Sequence, residues 1–210
     1  MDRERQRLSA VERRELIRRG AMQAFAERGY EGASIGEIAQ AAGITPAVIY
    51  DHFSSKAELQ IELLERQTAE LLGFVGEALA NAPEGLDERM RIGVDAFFRF
   101  VEEHRFAWRM LFRDPPTDPG VAAAYRRLDR LATVGITAFI EASAGEALAG
   151  EADPPQAAEM FAELLKNAQN GLASWWYEHP EVPREEIVQR LLQFCWTGLA
   201  QLASRDRESV

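Results

Sequence analysis

The chain carries one cysteine, Cys195, in 210 residues, which excludes an intrachain disulfide framework and any multi-cysteine zinc site. Its three histidines, His52, His104 and His179, stand far apart without neighbouring ligand types, so no metal is assigned. No run of eighteen apolar residues occurs, and the first nine residues, MDRERQRLS, are charged where a signal peptide would turn apolar; a cytoplasmic protein is expected. Nine prolines and fifteen glycines cluster at a few places, which excludes collagen-like and low-complexity chains. Strand alternation and internal repeats are absent. So are a Ser/His/Asp set, H-E-x-x-H, a phosphate-binding lysine loop and a dinucleotide fingerprint. Glu102-Glu103 and Glu185-Glu186 read as solvated helix faces. Neither enzymatic activity nor a cofactor is expected.

What remains is a globular composition, 47% hydrophobic and 28% charged, with a net charge of −10 that argues, taken whole, against nucleic acid as a partner. The average conceals a split. Residues 1–56 hold nine Lys/Arg against eight Asp/Glu, whereas residues 57–210 hold fifteen against twenty-six. Residues 1–19 alone hold seven arginines against four acids. A weakly basic head precedes a strongly acidic body.

Apolar spacing predicts an all-α chain of about nine helices. After a polar, Arg-rich arm, Leu16, Ile17, Met22 and Phe25 recur at helical steps up to the stop signal Gly29. Ser34-Ile35-Gly36-Glu37 reads as a capping box opening a second helix. Thr45 as N-cap and Pro46 at the first helical position restart a third, barely two turns long, to Phe53. Ser55-Lys56-Ala57-Glu58 is a second box, opening a long helix to about Ala80. Helices then follow over about 86–104, 106–113, 121–139, 155–178 and 183–204, with loops at 114–120 and 145–155.

Residues 34–53, SIGEIAQAAGITPAVIYDHF, fit a helix-turn-helix position by position. Ala39 is small where two helices cross, Gly43 stands where the turn needs a positive φ, and Ile44 and Ile49 pack the second helix onto the first. The first helix would prop the second into a major groove. An αα-hairpin inside a bundle is the other reading of the same pattern.

Leu16 to Lys56 resembles the N-terminal domain of the TetR (tetracycline-repressor-like) family. The resemblance rests on Phe25-Ala26-Glu27-Arg28-Gly29-Tyr30, Ser34-Ile35-Gly36-Glu37-Ile38-Ala39, Ala42-Gly43-Ile44-Thr45 and Ile49-Tyr50-Asp51-His52-Phe53-Ser54-Ser55-Lys56-Ala57-Glu58-Leu59. It spans roughly 45 residues and several independently constrained positions. It implies a DNA-binding domain over 1–56 and a helical-bundle ligand-binding and dimerisation domain over 57–210. It further implies a homodimeric transcriptional regulator, usually a repressor, on a near-palindromic double-stranded operator, released by a largely apolar small-molecule effector. Carried over by position, Ser34 and Thr45 would set hydroxyls against phosphates, Tyr50, His52 and Lys56 would touch the backbone, and Pro46, Ala47 and Val48 would face base edges.

The chain departs from that family where specificity is made. Basic or hydroxyl residues are frequent at the positions of Pro46 and Val48, glycine at that of Ala47, and arginine at that of Gly36. The recognition helix therefore has almost no donors for purine edges. Ala47 and Val48 can meet only thymine methyls or read shape, and Asp51 either repels DNA or accepts from cytosine. The arm (Arg3, Arg5, Arg7) and Arg13-Arg14 are left as a source of minor-groove contacts or as a solubilising tail. The donor-poor helix also motivates a rival reading, a dimeric helical interaction module without specific DNA recognition.

In the body, Phe97, Val101, Trp108, Phe112, Tyr125, Phe139 and Trp175 are core or candidate ligand-pocket residues. Asn167 and Asn170 add amides on one face, as a ligand site, a buried interhelical contact or a solvated face. Arg105, Arg109 and Arg113 stand four apart, as partners of the acidic surface or as an anion clamp. The last helix is apolar nearly all round, and the one before it supplies a second apolar stripe. Phe161, Leu165, Ala168, Leu172, Leu191, Leu192, Cys195 and Leu199 are the candidate interface of an isologous dimer.

Overall fold

The computed structural model describes residues 9–112 and 117–205, without the side chains of residues 106, 110–112 and 197–205. Among the described residues it has nine helices and no strand: α1 (Ala10–Gly32), α2 (Ile35–Ala42), α3 (Pro46–Tyr50), α4 (Lys56–Ala80), α5 (Leu86–Glu103), α6 (Arg105–Phe112), α7 (Pro119–Leu148), α8 (Pro154–Glu178) and α9 (Arg184–Arg205). The chain divides into two compact units, Met1–Gln67 with Phe106–Arg126, and Thr68–Arg105 with Arg127–Val210. The first unit thus runs past the boundary expected at residue 56 and recruits a later segment.

Local chemistry starts these helices. Ser9 and Ser34 each form a reciprocal capping box, with Glu12 and Glu37, at the heads of α1 and α2. Asp153 caps α8 by accepting from the Gln156 amide at 3.1 Å. The box expected at Ser55 is shifted by one residue. Ser55 accepts from the Glu58 amide, but the Glu58 carboxylate reaches back to Ser54, whose N–H it takes at 2.6 Å. α1 does not stop at Gly29. Its backbone turns there with φ of 71° and resumes for one further turn, whose end is tied by the Ala33 N–H to the Gly29 carbonyl at 3.2 Å.

In the first unit Ile17, Ala21, Ala24 and Phe25 of α1 are buried, as are Ile38 and Ala39 of α2 and Leu59, Leu63 and Leu64 of α4. α1 and α2 cross so closely at Gly20 that a Cβ there would stand 2.9 Å from both the Ala42 amide nitrogen and the Ile38 carbonyl oxygen. Gly20 is the small residue of this α1–α2 crossing, while Ala39, expected to be small where α2 meets the next helix, is 1% exposed. The second unit packs α5 against α9 and α9 against α8. Phe98 meets Trp176 edge-to-face at 5.9 Å, and Trp176 donates its indole N–H to the Val182 carbonyl at 2.7 Å. Ile140 and Leu148 of α7 close on Ala158 and Ala162 of α8, with Phe139 and Phe161 against them. The 145–155 loop is shorter than expected, because α7 bends at Ala144 and continues to Leu148.

One polar cluster is built into this second unit. Lys166 is 5% exposed, yet its ammonium donates to Asp129 at 2.9 Å and to Thr133 and Glu163 at 2.8 Å each. Burial lowers the lysine's proton affinity, but the two carboxylates outweigh it and hold the group charged. α7 and α8 are thereby fixed in register by a charge that no apolar pattern announces.

Candidate nucleic-acid interface

α3 has five residues, too few to be helical alone, so its conformation is imposed by what surrounds it. Gly43, at φ of 67°, reverses the chain after α2, and the Ile44 N–H bonds the Ala39 carbonyl at 3.0 Å. Thr45 takes the extended N-cap conformation and Pro46 follows at the helix start, but the threonine hydroxyl makes no cap bond. Ile49, fully buried, and Phe53, 1% exposed, pin the inner side. Thr45, Pro46, Ala47, Tyr50 and Asp51 are exposed and Val48 is half-buried. The helix presents a small, mainly apolar face whose largest group is the Tyr50 phenol, 57% exposed.

Four arginines of this unit, Arg14, Arg18, Arg28 and Arg66, are engaged by the protein itself. Arg14 donates to the His52 carbonyl at 3.0 Å, lies 4.3 Å over the Phe53 ring and pairs with Glu62 of α4. Arg18 pairs with the same carboxylate, through Nε at 2.6 Å, and with Glu15 at 3.0 Å. Arg66 returns to Glu15 at 2.7 Å. Burial pushes the Glu62 carboxyl up, but the arginine hydrogen bonds more than reverse this and leave it below its ordinary value. Arg28 pairs with Glu37 at 2.9 Å. The ladder ties the end of α3 to α1 and α4.

Several position-by-position expectations change here. The Ser34 hydroxyl is occupied, accepting from the Glu37 amide and donating to the Glu37 carboxylate at 2.9 Å, so it is not a free phosphate ligand. Lys56 is not a free cation either. Its ammonium donates to the Tyr30 and Ala33 carbonyls at 2.7 and 3.0 Å and sits 4.3 Å from the Tyr30 ring centroid. It closes the C-terminal end of α1, where backbone carbonyls lack helical partners. Arg14 is a strut and not an available groove contact. Arg3, Arg5 and Arg7 lie outside the described residues. The bond from Arg14 to a main-chain carbonyl carries no sequence signal, so residue patterns could not find it.

The body candidates also separate. Trp108, 1% exposed, and Tyr125 belong to the first unit, and the Phe112 side chain lies outside the described residues. Phe97 and Val101 are buried in the second unit and Phe139 is half-buried there. Asn167 and Trp175 are exposed and line no interior there; Asn167 donates to the Glu163 carbonyl and carboxylate, and Trp175 stacks on His179 at 4.0 Å. Asn170 is half-buried. Of the interface candidates, Leu165 and Leu191 are buried in their own chain, which corrects their placement on an outer face. Phe161 packs into the α7–α8 core, Ala168, Leu172, Leu192 and Cys195 are half-buried, and the Leu199 side chain is outside the described residues. Among the described side chains of α8 and α9, the large apolar residues left exposed are Met160, Leu164, Trp175 and Phe194. Arg105 of the basic stripe lies 5.3 Å from the Tyr177 ring centroid.

The family model for bacterial regulatory proteins of the tetR family matches residues 17–63, and that for the tetracyclin repressor-like C-terminal domain matches residues 86–198. The HTH-type transcriptional activator FasR of Mycolicibacterium smegmatis is 32% identical over 199 residues, covering 93% of this chain and 87% of its own. A transcriptional regulator from Pseudomonas aeruginosa PAO1 has the same fold, with a TM-score of 0.78 at 20% identity over 95% of this chain and 96% of its own. A TetR-like regulator from Rhodococcus sp. RHA1 gives 0.76 at 22% identity, covering 92% and 99%.

Lys56→Ala is expected to destabilise the head by about 1–3 kcal/mol, because two partly buried carbonyls lose their donor. Tyr50→Ala changes stability by less than about 0.5 kcal/mol and weakens duplex binding instead. Urea melts and fluorescence anisotropy of the two variants separate the roles. The depressed Glu62 carboxyl contributes stability that is complete above its unfolded value, about 4.3, and is lost as pH falls through the lower folded value. Glu62→Gln should remove that acid-side loss, leaving a stability profile that is flatter below about pH 4.3.

Proposed function

The chain belongs to the tetR family of bacterial regulatory proteins, and on that premise we propose that it is a repressor that binds a near-palindromic operator as a homodimer and leaves it when a small, largely apolar effector binds. That it is a DNA-binding transcriptional regulator and not an enzyme follows from the family. The observation that carries the proposal is the exposed face of α3, a helix too short to stand alone yet braced from behind by Ile49, Phe53 and Arg14. A brace of that kind suits a helix that must keep its shape inside a groove.

Dimerisation is supported by the outer face of α8. Met160, Leu164 and Trp175, 61%, 65% and 46% exposed, fall on one stripe with Asn167 and Gly171, at steps of three and four. Phe194 of α9, which packs beside α8, is 69% exposed. A two-fold pairing of this face would cover apolar surface that a single chain leaves in water. An effector site in the second unit is supported by the buried hydroxyls of Thr137 and Ser143, which lack a hydrogen-bond partner among the described residues, on the same helix as Phe139. Phe97, Val101 and Phe139 would supply its apolar walls. Such a protein works beside the chromosome, in the cytoplasm. FasR is named an activator, so the sign of the effect is measured with a promoter fusion, which repression predicts to rise on gene deletion.

Selection from random duplexes is expected to enrich a near-palindrome with half-sites about one duplex turn, roughly 34–36 Å, apart. Without enrichment the rival reading, a helical interaction module, takes its place. Leu164→Arg, at an exposed position, should give folded monomers in sedimentation and lower operator affinity at least ten-fold; unchanged dimers would remove the α8 face from the interface.

A further inference from the structure

We propose that α3 reads its operator through the methyl groups of thymine, with Ala47 and Val48 as the specificity-determining side chains. The inference rests on the DNA-binding role of the chain and names which bases that helix accepts. From Thr45 to Phe53 the only carboxylate or fixed cation is Asp51, an acceptor. The only neutral hydroxyl donors on that stretch are those of Thr45 and Tyr50, one at each end of the helix. Bidentate pairing with guanine needs an arginine or lysine, and pairing with adenine an asparagine or glutamine; α3 has none of these.

The head's other described cations are largely committed within the protein, and Arg13 and Arg19 stand on α1, outside residues 34–53. Arg14 and Arg18 are held on Glu62, Arg28 on Glu37, and Lys56 on two backbone carbonyls. α2 carries Gly36 in its first turn and no basic residue. What α3 offers to a groove floor is the Ala47 methyl, which is exposed, and part of the Val48 isopropyl group, which is half-buried.

Apolar groups pressed against the N7 and O6 of guanine, the amino group of cytosine or the amino group of adenine strip water from them and return no hydrogen bond, which is unfavourable. The thymine C5-methyl is the one apolar group on the major-groove floor. Burying it against Ala47 or Val48 is favourable for both surfaces. The half-site should therefore carry thymine, on either strand, at the one or two positions that face the middle of α3.

The test uses the full-length protein and the duplex recovered by selection. Each thymine is replaced in turn by deoxyuridine, which removes only the methyl group, and each guanine by 7-deazaguanine, which removes the N7 acceptor. Affinity is expected to fall about four-fold at one or two thymines per half-site, and about fifteen-fold when both half-sites are changed. Val48→Ala should abolish the effect at one of those positions. Loss of guanine N7 at the positions facing α3 should have no effect. Tolerance of uracil throughout the half-site, or a dominant 7-deazaguanine effect there, would overturn the proposal. The nucleotide substitutions leave the protein untouched, so no folding defect can imitate either result. If selection recovers no sequence, the regulator reading fails as well; a recovered sequence indifferent to uracil overturns this inference alone.

Discussion

Five residues cannot hold a helix in water, and the design of the N-terminal unit follows from that constraint. α3 exists because Ile49 and Phe53 are drawn into the core beneath it and because Arg14 grips the His52 carbonyl just past its end. The same guanidinium lies over Phe53 and pairs with Glu62, so one side chain joins α1, α4 and the chain leaving α3. Surface ion pairs contribute little singly, about 0–1 kcal/mol. Here Glu62 serves two arginines and Glu15 a third contact to Arg66, and the arrangement fixes geometry more than it adds stability. Gly20 completes the unit by letting the backbones of α1 and α2 approach closely.

Much of this was legible in the residues. The capping box at Ser34 and the reversal at Gly43 follow from short-range rules of side chain and backbone, and the structure has both. The rules weakened where two local solutions compete. Ser54 and Ser55 can each meet Glu58, and both do, one through its amide and one through its hydroxyl. What sequence could not disclose was long-range engagement of charge. Arg14 and Lys56 have the chemistry of phosphate ligands, and nothing within a few residues of either reveals that carbonyls 38 and 26 positions away occupy them.

The body shows the same limit from the apolar side. α8 and α9 are apolar on more than one face, and periodicity cannot say which face is turned inward. Leu165 and Leu191 face the interior, whereas Leu164, one residue away from Leu165, faces water. Lys166 is the strongest departure, a charge at a core position of a helix whose pattern would place it outside. Its three oxygen partners explain why it is tolerated there. The acidic excess of residues 57–210 fits a chain whose head alone must approach a polyanion, since local charge governs that encounter.

The central claim is that the outward face of α3 lies in a major groove. A photoreactive side chain placed at Ala47, exposed and outside the Arg14–Glu62 ladder, tests it most directly on the selected operator. The account predicts cross-links to bases of the major groove in two clusters about one helical turn apart. Cross-links confined to the sugar–phosphate backbone, or none at saturating protein, would contradict it.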